Sequence, residues 1–219
     1  MQTSPWLGRW VASGVIGWGL LAGAAEPFPA PLLPAPQLDK GRPLMQALNA
    51  RQSRRDISPD KPLAPQELAN LLWAACGVNR PDSGKRTAPS AVNWQEIDVY
   101  LAMANGLYLY DAKAHKLTPV LHEDLRALAG KQRFVQTAPA VLIFVADEAR
   151  MGQGAGRDKS FYAAADTGFI SQNVYLYCAS EGLATVVIGM VDKPALAAKM
   201  KLRPEQRVIL TQPVGYPEK

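Results

Sequence analysis

A short basic segment near the start of the chain has the composition of an anion-binding site. Three arginines, Arg51, Arg54 and Arg55, fall within five positions, and Ser53 adds a hydroxyl group between them. A guanidinium group can bind two phosphate oxygens at once, so the segment predicts a compact receptor for a small anion. The same residues also fit a solvated basic turn, which is the more common role of surface charge runs.

A second polar stretch, residues 85–96, carries groups suited to the edge of a flat heterocycle. These are a hydroxyl, two carboxamides and an aromatic ring, on Ser90, Asn93, Gln95 and Trp94. A carboxamide both donates and accepts hydrogen bonds, as the edge of a flavin or a nucleobase requires. The alternative is a connecting loop in which Asn93 and Gln95 cap backbone groups.

A third segment, residues 182–190, predicts a strand that runs out into a glycine. Gly189 would leave backbone N–H groups open to close approach by a planar ligand. Taken alone, the segment is better explained as a core strand that ends in a glycine turn.

Several familiar catalytic signatures are missing. The chain has no Gly-x-Ser-x-Gly elbow, no His-Glu-x-x-His and no Gly-x-x-x-x-Gly-Lys-Ser/Thr phosphate loop. Residues 152–156 imitate a dinucleotide-binding turn, but Arg157 stands where the third glycine is required. We therefore interpret this run as a flexible loop beside a pocket.

The histidines and cysteines are too few for a metal centre or a disulfide scaffold. His115 and His122 have no third candidate ligand nearby, so we expect no metal site. Cys76 and Cys178 lie on apolar helical segments, which favours two buried thiols over a disulfide.

The composition indicates one globular domain that binds a small anion. The 219 residues are 48% hydrophobic and 20% charged, which excludes a disordered or fibrous chain. The formal charge of +5 is mild. Because nucleic-acid binding needs basic residues clustered on one face, we expect no nucleic-acid partner.

The first 25 residues predict a secretory signal peptide. They carry one charge, on Arg9, then an uncharged run from Val11 that ends in small residues before Glu26. Cleavage after Ala24 or Ala25 would send the protein to the periplasm or outside the cell, with no stable membrane insertion afterwards. The alternative is an uncleaved N-terminal anchor.

A proline-rich segment, residues 26–43, follows the signal. It holds six of the 18 prolines, which lock φ and remove backbone donors, so we expect an extended spacer. The folded domain is then residues 44–219.

Within that domain, helical and strand-like patterns alternate. The sequence predicts helices over 44–49, 65–76, 158–181 and 194–200, and strands over 97–103, 107–110, 140–146, 185–188 and 208–211. Asn105-Gly106 is a strong hairpin signal between the first two strands, and Gly77 and Gly182 are placed to end helices. These elements indicate an α+β fold with a mixed, mainly antiparallel sheet flanked by helices.

Taken together, the segments resemble the nitroreductase family of FMN-dependent oxidoreductases, and more narrowly the branch of the thiazole- and oxazole-forming dehydrogenases. The resemblance covers the chain from Leu44 to Pro217. Its motifs are Arg51-x-Ser53-x-Arg55, Leu71-Leu72-Trp73-Ala74-Ala75-x-Gly77-Val78-Asn79-Arg80, Pro89-Ser90-Ala91-x-Asn93-x-Gln95, Ala138-Pro139, Asp166-x-Gly168-x-x-x-Gln172-Asn173-x-x-Leu176, Gly182-Leu183-Ala184-Thr185 and Pro213-Val214-Gly215-Tyr216-Pro217.

The resemblance implies a set of FMN contacts. The basic segment would hold the phosphate and ribityl chain, the polar loop and a glutamine would contact the flavin ring, and a backbone segment would lie near its N5 and O4. The contacts to the phosphate and ribityl chain would be Arg51, Ser53 and Arg55. The contacts to the flavin ring would be Pro89, Ser90, Asn93 and Gln95 of the polar loop, and Gln132. The backbone segment near N5 and O4 would be Val187, Ile188, Gly189 and Met190. The polar loop would come from the partner subunit of an intertwined homodimer, with Ala164 and Gly168 letting the long helices approach.

The resemblance also implies the reaction. FMN would take a hydride at N5, with NAD(P)H as a possible donor, and pass it to a small organic acceptor in a ping-pong cycle that needs no catalytic side chain. The alternatives are an exported flavin-binding protein without turnover, and a dehydrogenase or oxidase acting on a peptide or small molecule. Family members commonly place further basic residues after the Gly-Tyr-Pro element, and here Lys219 or Arg54 would have to replace them.

Overall fold

The computed structural model of the protein describes residues 1–2, 28–152 and 158–218. The expected signal peptide, the glycine-rich run 153–157 and Lys219 lie outside the described residues, apart from Met1 and Gln2. In the described part, no helix is long and apolar enough to cross a membrane.

The described residues form helices packed on both faces of a six-stranded sheet. The helices are α1 (Leu44–Ala50), α2 (Pro65–Cys76), α3 (Arg133–Gln136), α4 (Lys159–Glu181) and α5 (Lys193–Lys199). The strands are β1 (Val78–Arg80), β2 (Lys85–Arg86), β3 (Ile97–Met103), β4 (Gly106–Asp111), β5 (Lys116–Leu121), β6 (Ala140–Asp147), β7 (Ala184–Thr185) and β8 (Gln206–Gly215).

The sheet has the strand order β5-β4-β3-β6-β8-β7, and each neighbouring pair is antiparallel. Strand β6 lies at its centre and is buried along its whole length, as its continuous apolar run predicts. Helices α2 and α4 pack on one face, and α5 covers the other. The predicted α+β class is therefore confirmed.

Local sequence explains most of the element boundaries. Pro65 stands in the first turn of α2, where its missing N–H costs nothing, and Glu67 accepts a hydrogen bond from the Ala64 N–H at 2.7 Å. Gly182 ends α4 with a φ of +71°, which glycine adopts without strain. Cys76 and Cys178 are both buried and unbonded.

Two predicted elements differ from the structure. The β3–β4 turn consists of Ala104 and Asn105, so Gly106 opens β4 instead of lying in the turn. The predicted strand 185–188 is shorter, because β7 ends at Thr185 and only Ile188 pairs again with β8, through Thr211. Between them, the Val187 N–H donates to a side chain on α4.

Residues 28–43, here called the N-terminal strap, contain no helix or strand and pack along the domain. At its start, the Phe28 ring stacks on His122 with centroids 4.8 Å apart. A side chain at position 106 would come within 2.6 Å of the Phe28 ring, so the glycine there allows this close approach. His115 Nε2 lies 3.0 Å from the Pro34 carbonyl oxygen.

The second half of the strap is held by side chains of α2 and α4. Gln66 donates to the Ala35 carbonyl at 2.9 Å, and the Gln37 N–H donates to Asn70 at 2.9 Å. The Arg42 N–H donates to the hydroxyl of Ser180 at 2.6 Å. These contacts make the strap part of the folded unit.

Replacing Phe28 by alanine is expected to lower the free energy of unfolding by about 2 kcal/mol, because a half-buried ring leaves its stacking partners. Urea denaturation of the protein measures the change. Leu32→Ala is the control, since Leu32 is 81% exposed on the same strap. Equal stability of the two variants would show that the strap is not anchored at Phe28.

Candidate ligand-binding site

Tyr175 on α4 joins the basic segment to the segment around Gly189. Its hydroxyl lies 3.1 Å from the Ser53 hydroxyl and accepts a hydrogen bond from the Val187 N–H at 2.8 Å. The Arg51 guanidinium lies over its ring, 5.3 Å from the centroid. Two segments that are far apart in sequence therefore meet at one buried side chain.

Backbone hydrogen bonds fix the basic segment on both sides. The Arg54 N–H donates to the Thr185 carbonyl at 2.9 Å. Ile57 pairs with Pro217, and the Glu218 N–H donates to the Asp56 carbonyl at 2.8 Å. The segment is thus held between β7 and the end of the chain.

The three arginines of this segment are not equivalent. Arg54 forms an ion pair with Asp56, and this hydrogen bond holds the pKa of the Asp56 carboxyl below its usual value. Arg51 and Arg55 form no ion pair with any described residue. The guanidinium groups of Arg51 and Arg55 therefore remain for an external anion, whereas that of Arg54 is held by Asp56.

The bend at Gly189 presents unused backbone donors. Ile188 exchanges two hydrogen bonds with Thr211, at 2.7 and 3.1 Å, which fixes the chain just before the bend. Gly189 and Met190 are exposed, and in the described part of the chain their N–H groups have no acceptor. A side chain at Gly189 would meet nothing closer than 3.8 Å, so the surface there is open.

Gln132 lies on a loop that is tied to the same bend. The Thr211 hydroxyl donates to the Ala129 carbonyl at 2.6 Å, and Thr211 also pairs with Ile188. The side-chain oxygen Oε1 of Gln132 is buried and accepts no hydrogen bond from a described residue. Such an acceptor is costly unless a ligand or water donates to it.

The polar loop, Pro89–Gln95, is held at a different place. The Asp166 carboxylate on α4 accepts a hydrogen bond from the Ala91 N–H at 2.8 Å. The Gln95 side chain donates to the Gly84 carbonyl at 3.0 Å and to the Asn93 side-chain oxygen at 3.1 Å. Gln95 therefore caps a backbone group, as the loop alternative predicts, whereas the Asn93 side chain bonds only to Gln95. Asn93 Nδ2 and Gln95 Oε1 have no partner among the described residues.

Asp166 and Tyr175 mark two separate regions of α4. They are nine residues apart, which in a regular helix is about 13 Å along the axis and about half a turn around it. Within one chain, the structure brings together the basic segment, the Gly189 bend and Gln132. It does not bring the Pro89–Gln95 loop to them.

A separate cavity of about 530 Å³ lies between the strap, α2 and α4. Trp73, Asn173 and Tyr177 are among the residues that line it. None of the site residues predicted from the sequence does so.

Sequence reasoning missed Tyr175, although its position on a buried helix face carried a signal. A buried tyrosine hydroxyl needs a hydrogen-bond partner, and here the partners are the two candidate segments. Asp166 and Glu96, both buried acids, were missed as well.

Replacing Tyr175 by phenylalanine should lower the free energy of unfolding by about 1–3 kcal/mol, because the Val187 N–H loses its acceptor. Thermal unfolding with and without added ligand measures the loss. Tyr162→Phe is a matched control, since the hydroxyl of Tyr162 has no partner among the described residues. If the two variants are equally stable, the Tyr175 hydroxyl does not join the segments.

The chain was compared with families and proteins that are already known. Residues 48–216 match the profile of the nitroreductase family. A protein of Methanocaldococcus jannaschii named as a nitroreductase is 32% identical over 183 residues, which cover 78% of this chain and 90% of the relative. A crystal structure from Ralstonia eutropha, also named as a nitroreductase, is 42% identical with a TM-score of 0.81 and covers 85% of this chain and 89% of that one.

More distant structures share the fold. The McbBCD microcin synthetase of E. coli, solved with truncated pro-MccB17 bound, has 19% identity and a TM-score of 0.68, covering 86% of this chain and 78% of that one. The NADPH:FMN oxidoreductase of Vibrio harveyi, solved with NAD+, has 19% identity and a TM-score of 0.58, covering 80% and 69%.

Proposed function

Because the chain belongs to the nitroreductase family, we propose that it is an FMN-dependent oxidoreductase that reduces a small organic acceptor in a ping-pong cycle. One observation carries this proposal. Three sets of polar groups without hydrogen-bond or ion-pair partners among the described residues lie together around Tyr175 and Thr211. These are the guanidinium groups of the basic segment, the N–H groups of the Gly189 bend and the buried amide oxygen of Gln132.

The unsatisfied groups fit the chemistry of FMN. Arg51 and Arg55 supply positive charge for the phosphate, and Ser53 adds a hydroxyl. The N–H groups of Gly189 and Met190 would donate to an acceptor edge of the flavin ring, whereas Val187 and Ile188 use their own N–H groups within the fold.

When bound, FMN supplies hydride transfer between a reduced donor and an acceptor, and the residues of the chain bind and orient. Tyr175 keeps the phosphate-binding segment and the Gly189 bend at a fixed separation. The two N–H groups at the bend stabilise negative charge on the neighbouring ring edge. No side chain is assigned a catalytic role.

We propose that the active form is a homodimer in which the partner subunit supplies the Pro89–Gln95 loop. The outer face of α4 is apolar and exposed, with Phe161 and Phe169 exposed by 67% and 48%. Ala164 and Gly168 lie on the same exposed face, and a side chain at Gly168 would meet nothing within 4 Å. An apolar stripe of this kind is typical of an interaction surface.

Two further proposals concern the location of the protein and its substrate. We propose that the protein is exported, in which case nicotinamide donors are scarce and another reductant serves. A dehydrogenase or oxidase acting on a peptide remains the second candidate, because the microcin synthetase that shares this fold was solved with a peptide substrate.

The absorption spectrum of the purified protein tests the proposal directly. We expect a flavin band that bleaches under anaerobic NADPH or NADH. A flavin band that NADPH and NADH do not bleach, and that no organic acceptor restores under anaerobic conditions after reduction by dithionite, would indicate a binding protein without turnover. A colourless protein that also fails to take up added FMN would contradict the flavin assignment.

A further inference from the structure

Glu96, just before β3, is a buried acid without a hydrogen-bond partner among the described residues. It is 0% exposed, and neither of its carboxyl oxygens bonds to a described residue. An isolated buried carboxylate is strongly unfavourable, so such a group either takes up a proton or is paired. Glu96 follows Gln95 directly, so this unpaired carboxyl group lies beside the polar loop.

A second buried acid, Asp166, lines one small cavity together with Gln95 and Ile97, the residues on either side of Glu96. Asp166 is 2% exposed, and its Oδ2 holds the other end of the loop through the Ala91 N–H. Burial raises the pKa of the Glu96 carboxyl to about 7, and the neighbouring charge of Asp166 contributes to the shift. The two carboxyls thus bracket the loop that would contact the flavin.

The other charged groups facing Glu96 do not neutralise it. Arg150, which follows β6, is the nearby cation, and its guanidinium pairs with Asp98 and lies 3.5 Å from an Asp147 oxygen. It also donates to the Gln95 carbonyl at 2.9 Å. Asp147 also pairs with Arg203. Arg86, whose buried Nε has no partner among the described residues, lines the same small cavity as Asp166. Because none of these cations forms an ion pair with Glu96, a proton is the simplest partner for it.

The Pro89–Gln95 loop, which Asp166 and Glu96 flank, has a strained backbone. Val92, Asn93 and Gln95 have φ values of +50°, +59° and +50°, in the left-handed region that a β-branched residue such as valine rarely adopts. Conformations of this kind persist only where surrounding contacts enforce them. Here the enforcing contacts come from Asp166 at one end and from the Arg150 bond to Gln95 at the other.

We propose that Glu96 and Asp166 are positioning residues that hold one proton between them and thereby fix the Pro89–Gln95 loop in its ligand-binding conformation. The inference rests on the proposed function, because the ligand of the loop is FMN. With the proton present, the Glu96 carboxyl donates to Asp166. Without it, two buried carboxylates repel each other and the loop relaxes away from its strained conformation.

The first experiment measures FMN affinity between pH 5.5 and 8.5. For the wild type we expect the dissociation constant to rise about 10-fold between pH 6.5 and 8.5. Glu96→Gln should remove this rise, because its amide donates to Asp166 at every pH. Glu205→Gln, an exposed control, should keep the wild-type profile. The phosphate of FMN titrates near pH 6, so the variants are compared at equal pH.

The second experiment uses the protein without FMN, so it does not depend on the proposed function. A pKa raised in the folded state stabilises the protein at low pH, and this stability is lost as the pH rises through about 7. We expect the melting temperature to fall between pH 5 and 8 in the wild type and in Glu205→Gln, but not in Glu96→Gln. Asp166→Asn keeps an acceptor for Ala91 but removes the charge that raises the pKa of Glu96, so it should lower that pKa and shift the fall to lower pH.

The two experiments separate the possible failures. If the melting temperature of the wild type does not change with pH, or if Glu96→Gln shows the same pH dependence as the wild type, the shared proton is refuted. If the melting temperature changes with pH as expected but the dissociation constant of FMN does not, the positioning role is refuted. A stability profile as expected in a protein that binds no FMN supports the proton pair and refutes the proposed function instead.

Discussion

Replacing Arg51 and Arg55 together by alanine is expected to weaken FMN binding by about 100-fold or more. Each guanidinium would contribute a charge-assisted hydrogen bond to the phosphate, and such bonds are worth about 1.5–3 kcal/mol each. Neither arginine has an ion-pair partner among the described residues, so their loss leaves no carboxylate unpaired there. Equilibrium dialysis of FMN against the variant measures the change.

The control for this variant removes the same charge elsewhere. Lys116 and Lys201 are exposed, on β5 and just after α5, and form no ion pair with a described residue, so their double alanine variant should bind FMN as the wild type does. Riboflavin, which lacks the phosphate, should lose little affinity for the Arg51→Ala/Arg55→Ala variant. Full FMN occupancy in that variant would refute the assignment of the basic segment.

Local sequence patterns predict well those elements whose apolar positions recur at a regular spacing. The bounds of α2 and β3 agree with the prediction, because proline, glycine and apolar periodicity mark them within the segment itself. Strand β5 was not predicted, since it lies at the sheet edge and contains Pro119, which argues against a central strand. The strand 185–188 was overestimated, because the hydroxyl of Tyr175 replaces a strand partner at Val187.

The site depends more strongly on contacts that no local pattern contains. The nitroreductase resemblance is confirmed, and it supplied the candidate segments. Their arrangement is set by side chains far along the sequence, such as Tyr175 and Ser53, 122 residues apart, or Asp166 and Ala91, 75 residues apart. A pattern of residue types indicates that a tyrosine or an acid is buried, but not which loop it will hold.

Two variants that each retain almost no FMN on purification are expected to regain FMN when they are combined in one dimer. Arg51→Ala/Arg55→Ala alters the segment near Tyr175, and Asn93→Ala/Gln95→Ala alters the loop near Asp166. If each site takes one segment from each subunit, a mixed dimer contains one intact site and one site with both defects. Tandem purification of differently tagged subunits should therefore yield about one FMN per mixed dimer, against about two for the wild type.

The expected recovery follows from the geometry of α4. The Pro89–Gln95 loop and the basic segment contact this helix about 13 Å apart and on opposite sides, so we expect one ligand to take them from different chains. The two homodimeric variants, purified in the same way, are the controls and should retain almost no FMN. Mixed dimers that also retain none would mean that each site is built from a single chain, and Asp166 would then hold a loop that never meets the flavin.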